Sequence, residues 1–310
     1  MRTRRIFSAA VAAASLLLAT ACASDEVASE PDAPADKGAV RISGQSFPEA
    51  VLVASMYEQL LSDAGYEPEV KLVDTRDVYM QTFPGDVDVV PEYVGGIVNF
   101  LNTTVNGANA APLTTSDGAE SLANAKGLLD DAGIVALDPS AATDTNAFFV
   151  SQEYAEAEGI AALSDLEGKS VVLAAAPDCE GRPDCEGGLS ETYGIDITEI
   201  LPLGFASAAT YQSVIKDEAQ LGLTSTTDGT LASQGLLLLA DDRAIQPAQN
   251  LVPAVSKEFL DANPDIADVL NELMAALTTE KLTELNGQVS VDRAQPADVA
   301  KEFLEAEGLL

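Results

Sequence analysis

From residue 39 onward the chain alternates short apolar runs with stretches in which apolar residues recur every three or four positions. The run at 40–42 predicts a strand. The segment 48–64 predicts a helix, with Val51, Leu52, Met56, Leu60 and Leu61 on one stripe. Pro48 suits its first turn and Gly65 its end. Further strands are expected over 69–73 and 87–90. The pattern then recurs, with strands over 147–150 and 170–175, a capped turn over 164–168, a helix over 211–216, and strands over 221–224 and 235–239. The remainder reads as helical, over 257–260, 266–277, 280–286 and 297–307. Strands alternating with helices predict an α/β protein with mostly parallel sheets covered on both faces. Two such halves and a helical return predict two lobes with a ligand cleft between them, at the carboxyl ends of strands. Gly44-Gln45-Ser46-Phe47 joins a strand end to a helix start and is expected to line that cleft.

The first 38 residues break this pattern. Arg2, Arg4 and Arg5 precede an apolar run over 9–21. That run is short of the roughly 20 residues that span a bilayer, so it reads as an export signal over 1–21. Its end, Leu18-Ala19-Thr20-Ala21-Cys22, resembles a bacterial lipobox, which makes Cys22 the expected lipidated start of the mature chain. The alternative is an ordinary signal peptide that happens to contain a cysteine. Residues 22–38 are rich in Ala, Ser, Asp, Glu and Pro and read as a flexible tether.

Composition narrows the function. Apolar residues make up 47 % of the 310, enough for a sizeable core. Against 50 Asp and Glu there are only 16 Lys and Arg, a net charge of −34, and such a surface repels nucleic acid. The chain has no histidine, which removes Ser-His-Asp and Cys-His catalysis and every histidine metal site. No metal and no cofactor is expected. Paired carboxylates leave a cell-envelope hydrolase as an alternative, although a chain with 50 acids offers suggestive pairs anywhere. Cys179 and Cys185, in Pro-Asp-Cys-Glu-Gly-Arg-Pro-Asp-Cys, read as a disulfide in an exported protein.

Several motifs are similar to one family. Ser43-Gly44-Gln45-Ser46-Phe47-Pro48-Glu49 resembles the opening motif of the glycine betaine/choline-type substrate-binding proteins of ABC importers, the OpuAC-like family. The run from Gly85 through Asp88-Val89-Val90-Pro91-Glu92-Tyr93-Val94-Gly95 is similar to its Pro-Glu-Tyr segment. Arg182-Pro183-Asp184 with Gly188-Leu189 and Tyr193-Gly194, then Thr226-Thr227-Asp228-Gly229, then Glu284-Leu285-Asn286, follow in the family's order. The resemblance covers about 40–310.

It implies a type II periplasmic-binding-protein fold. The first lobe would be built from 39–142 and 226–310, with 143–225 inserted as the second lobe and a hinge between them. It implies no enzyme but a receptor, acting as a monomer on the outer face of the cytoplasmic membrane, that closes on a small solute and delivers it to an ABC permease subunit. In betaine binders of the family, aromatic rings box a quaternary ammonium. Tyr93 matches one cage tyrosine, whereas Asn146, Ser225 and Gln249 stand where other cage residues fall. Gln45 replaces a basic residue often found there, and Arg182 matches an arginine that pairs a ligand carboxylate. With Ser46, Phe47 and Asp144 these make up the expected solute site. Closure is expected to bring Tyr93 towards Asn146 and Arg182. A glycine betaine-class osmoprotectant or related polar solute is the expected ligand. Because the cage is incomplete, ergothioneine or a polyphenol is an alternative, as is a role in sensing without transport.

Overall fold

The computed structural model describes residues 37–310; the export signal, Cys22 and the tether up to residue 36 lie outside the described residues. The last two tether positions belong to the fold. Lys37 donates its N–H to the Gly65 carbonyl, places Nζ 2.6 Å from Asp265 and lies over the Tyr66 ring.

The chain opens with β1 (Ala39–Gln45), α1 (Pro48–Asp63), β2 (Glu67–Val73), α2 (Arg76–Tyr79), β3 (Val89–Tyr93), α3 (Val94–Asn106), α4 (Gly118–Asn124), α5 (Lys126–Ala132) and β4 (Ile134–Ala136). It continues with β5 (Asn146–Ser151), α6 (Gln152–Glu158), β6 (Ser170–Ala175), α7 (Glu186–Glu191), β7 (Asp196–Pro202), α8 (Ala208–Ile215), β8 (Leu221–Ser225) and β9 (Leu236–Leu239). It returns through β10 (Leu251–Ser256), α9 (Lys257–Ala262), α10 (Ile266–Ala276), α11 (Thr279–Ser290) and α12 (Pro296–Glu307). The strands form two five-stranded sheets, β2-β1-β3-β10-β4 and β7-β6-β8-β5-β9.

Both sheets are mixed, which corrects the expectation of mostly parallel ones. β1 pairs parallel with β2 and β3, but β10 runs antiparallel to β3 and β4. Likewise β6 is parallel to β7 and β8, while β5 is antiparallel to β8 and β9. Parallel pairing needs a crossover that carries the chain back along the sheet. β5 and β10 instead arrive from the other lobe, so each can enter in the opposite sense. β9 lies in the second sheet, so the chain re-enters the first sheet only at Leu251, later than the return expected at 226.

Each sheet is covered on both faces. Against the first lie α1, α10, α11 and α12, with Leu52, Met56, Leu61, Leu273 and Leu304 fully buried. Its other face takes Ile97, Val98 and Leu101 of α3 and Leu129 of α5. In the second sheet the adjacent Phe148 and Phe149 of β5 point to opposite faces and anchor separate apolar clusters. The two segments that cross between the sheets are themselves paired: Thr143 bridges Asn250, and the Asp144 N–H donates to the Gln249 carbonyl.

After β8 the loop Thr226–Gly229 leaves the second sheet and lies on α11. Thr283 Oγ1 and Asn286 Nδ2 donate to the Thr226 and Thr227 carbonyls. Gly229 sits backbone to backbone on that helix, and a Cβ there would lie 2.6 Å from Gly287 Cα and closer still to the Thr283 carbonyl. Gly229→Ala is predicted to cost about 1–3 kcal/mol, because backbone rather than a flexible side chain must give way. Gly127→Ala in α5, where a Cβ meets nothing within 4 Å, is the contrasting case. It is predicted to stabilise by about 0.5–1 kcal/mol. Denaturant melts of the two variants measure both, and equal effects would contradict the close approach.

Candidate functional site

Between the two sheets lies a cavity of about 540 Å³. The first lobe contributes Phe47, Pro48 and Glu49 at the start of α1, and Asn286 and Ser290 of α11. The second contributes Phe205, Ala206, Tyr211, Thr224, Ser225, Thr227 and Asp228, while Asp144 enters from the crossing segment. A larger cavity of about 760 Å³ lies under Val70 and Val78. Its walls come from one lobe alone, so closing the lobes cannot seal it, and it is set aside as a cleft.

The start of α1 follows from local chemistry. Phe47 holds an extended backbone before Pro48, whose ring pre-sets the first helical turn. Glu49 then falls in that turn, buried, and its carboxylate accepts from the Tyr93 hydroxyl at 2.6 Å and from Asn286 Nδ2 at 2.6 Å. The Tyr93 ring lies 6.0 Å from that of Phe47. Burial, and then the Glu49 charge, push the Tyr93 ionisation well up, so its hydroxyl remains a donor.

On the opposite wall, Asp228 is saturated. It accepts from the Tyr211 hydroxyl, Thr224 Oγ1, Thr230 Oγ1 and the Thr230 N–H, all at 2.6–2.9 Å. Phe205 owes its place to a tight turn. Ser207 caps α8 by accepting from the Thr210 N–H, and Ala206 just before it holds a left-handed backbone with φ of 45°. A residue with a Cβ keeps that conformation only where its surroundings impose it. Here the cap and the Ala206 N–H on the Leu223 carbonyl do so. Phe205 is left 47 % exposed on the cavity wall.

Of the expected site residues, Phe47, Asp144 and Ser225 line this cavity. Tyr93 stands behind them, through Glu49. Gln45 closes β1 opposite Val73, and the exposed Ser46 places Oγ 3.4 Å from Asp74. Gln249 instead caps α3, its Oε1 accepting from the Gly96 N–H at 3.0 Å. Asn146 Nδ2 donates to Asp184 at 3.1 Å. Arg182 forks onto that same Asp184, through Nε at 3.0 Å and a second nitrogen at 2.6 Å, and also reaches Asp178 at 3.0 Å. Its guanidinium is therefore occupied. Cys179 and Cys185 form a disulfide across this loop, as expected. Phe205 escaped the sequence reading, while Tyr211, on a predicted helix, and Asn286, in a matching motif, were not among the expected site residues. A phenylalanine between Gly204 and Ala206-Ser207, just ahead of a helix cap, was the available signal for the first.

Burial, and after it the charge of Glu49, push the Asp144 carboxyl up to about 7, against hydrogen bonds from Thr227 and Ser225 that pull it down. In the unfolded chain the same group loses its proton near 3.8. Between those values the folded chain holds a proton that the unfolded chain does not. That contribution to stability is full below about pH 4 and is lost as the pH rises to about 7. Asp144→Asn is therefore predicted to flatten the fall in Tm across this window relative to the wild type. Calorimetric melts across the window check it, and identical profiles would contradict it.

Two lobes joined by a paired crossing, with a polar and aromatic cavity between them, define a bilobed solute-binding protein. The OpuAC model, the substrate binding domain of ABC-type glycine betaine transport systems, matches residues 38–306, and the chain belongs to this family. The glycine-betaine-binding protein of Pseudomonas aeruginosa is 29% identical over 287 residues, 87% of this chain and 88% of that one. The glycine betaine-binding protein YehZ of Escherichia coli is 26% identical over 282 residues, 87% and 90% of the two chains. The solved structure of apo YehZ matches with a TM-score of 0.72 at 24% identity, over 87% of this chain and 99% of that one, and so shares the two-lobed fold. These relatives are transport binding proteins; the chain is a substrate-binding protein of an ABC transport system and not an enzyme.

Proposed function

We propose that the chain is an exported receptor, anchored by lipid on Cys22, that captures a small solute bearing a quaternary ammonium group and delivers it to an ABC permease. The observation that carries this is that Phe47 and Phe205, on opposite lobes, line one cavity that also holds Glu49 and Asp144. An aromatic face attracts a cation through its quadrupole, and a quaternary ammonium gives up little hydration to meet it. The nearby carboxylates supply the matching charge. The hinge between the crossing segments lets the two walls close on the solute, the usual way for two lobes to make one dry pocket. Relatives named for glycine betaine support a ligand of that class.

This shifts weight among the expected site residues. Phe205 takes over the cage role that Asn146 and Gln249 cannot perform from where they stand. Arg182 serves its own loop, so its contribution to affinity is indirect.

A thermal-shift screen of glycine betaine, choline, carnitine and ergothioneine tests the reading. A true ligand at 100 times its Kd raises stability by about 2.7 kcal/mol. Phe205→Ala is predicted to weaken that ligand by about 1–2 kcal/mol, the scale of one desolvated cation–π contact. An unchanged affinity would place the solute elsewhere. Mass spectrometry of membrane-extracted protein should find diacylglycerol on Cys22; a soluble, unmodified chain as the main product would remove the anchor.

A further inference from the structure

We infer that Asp144 is the counter-charge that selects the solute: a cation without a carboxylate binds against its ionised side chain and expels a proton from it to bulk water. This deepens the proposal that the interlobe cavity holds the solute, and rests on it.

The groups around Asp144 carry the inference. Glu49 of α1 and Asp228 of the loop after β8 line the same cavity as Asp144, and Tyr93 of β3 holds Glu49 from behind. The lining contains no lysine and no arginine among the described residues. The three acids differ in how fully they are engaged. Asp228 accepts four hydrogen bonds within its own lobe. Glu49 accepts from Tyr93 and Asn286. Asp144 accepts from Thr227 at 3.0 Å, with Ser225 also in reach, and it sits on the segment that joins the lobes. A carboxylate has about four acceptor sites, so Asp144 keeps capacity to face a ligand.

A zwitterion such as glycine betaine brings its own carboxylate into this group of acids. The one guanidinium that family resemblance offers for it, Arg182, is forked onto Asp184 and held by Asp178. Specificity of this kind comes from a repulsive element as much as from an attractive one. A monocation meets only the attractive part.

The proton follows from the same surroundings. Burial and the charge of Glu49 hold a proton on Asp144 in the empty cleft at mildly acid pH. A cation placed against it favours the ionised form and reverses that balance. The O–H bond of the carboxyl breaks, the carboxylate keeps the electron pair, and the proton passes to water or buffer. Nothing else changes covalently.

Titration calorimetry of the purified protein with choline and with glycine betaine, in two buffers of different ionisation enthalpy, tests this. Choline is expected to bind about tenfold more tightly near pH 8 than near pH 6, since the proton must leave first. Its heat near pH 6 should differ between buffers by nearly one proton's worth, and glycine betaine should bind more weakly than choline near pH 8. In Asp144→Asn the buffer dependence should vanish and the choline profile should flatten. Choline binding that is independent of both pH and buffer would overturn the inference while leaving the cleft in place. So would tighter binding of glycine betaine than of choline, or no choline binding at millimolar concentration. The placement of the solute in this cleft falls separately, if Phe205→Ala leaves unchanged the affinity of a ligand found in the wider screen. Should Asp144→Asn fail to fold, the wild-type comparison of two buffers still decides the matter.

Discussion

Burying the carboxylate of Glu49 forces distant parts of the chain to meet. A carboxylate removed from water without donors is expensive, so each donor that reaches it holds a piece of the fold in place. Tyr93 reaches it from β3 and Asn286 from α11. Asn286 gives its other amide hydrogen to the Thr227 carbonyl, and the Thr227 hydroxyl donates to Asp144. One chain of hydrogen bonds thus runs from the first lobe to the hinge and to the second lobe's loop. Hydrogen bonds to charged groups contribute roughly 1.5–3 kcal/mol each, about twice the neutral value. The proposed solute would sit on this same chain, so capture and closure would act on shared groups.

An ion pair on the buried Glu92 explains why a ligand motif is also a packing motif. Arg76 forks onto Glu92 at 2.7 and 3.0 Å, and Tyr79 adds its hydroxyl. The guanidinium lies directly over Gly96, where any Cβ would collide with it. At Gly95 the Ala248 carbonyl comes within 2.6 Å of where a Cβ would be. The Pro-Glu-Tyr-Val-Gly-Gly run therefore lets a crossing strand and a half-buried arginine approach the start of α3. Tyr93 is the member of that run that turns towards the cleft. Pro91 and Pro253 stand opposite each other in the β3–β10 ladder, with the Pro253 carbonyl turned away to the Leu137 N–H. Neither missing N–H breaks a bond between those two strands.

Elements whose local pattern agreed with their final environment were legible. The helix at 48–64 and the buried strand at 170–175 carry their periodicity plainly and match α1 and β6 closely. α3 was not foreseen, because its Asn and Thr residues and its paired glycines oppose a helix locally; Gln249 and the close-packed neighbours impose it. β7 and β10 were also missed. One is an exposed edge strand, and the other holds a proline whose tolerance depends on its partner strand. Within the candidate site, motif matching located Phe47, Asp144 and Ser225. It could not show that Arg182 and Gln249 spend their hydrogen-bonding groups on the fold, because Asp184 and the start of α3 are defined only in three dimensions. Phe205 was hidden for the complementary reason: an ordinary phenylalanine becomes a cleft residue only through the turn at Ala206.

The central claim is spatial: the solute's ammonium lies between Phe47 and Phe205, above Asp144. Nuclear Overhauser contacts from the methyl protons of bound choline to assigned ring protons measure that directly. Contacts to both phenylalanine rings are predicted, and contacts to the valines of the larger first-lobe cavity, Val70 and Val78, would contradict it.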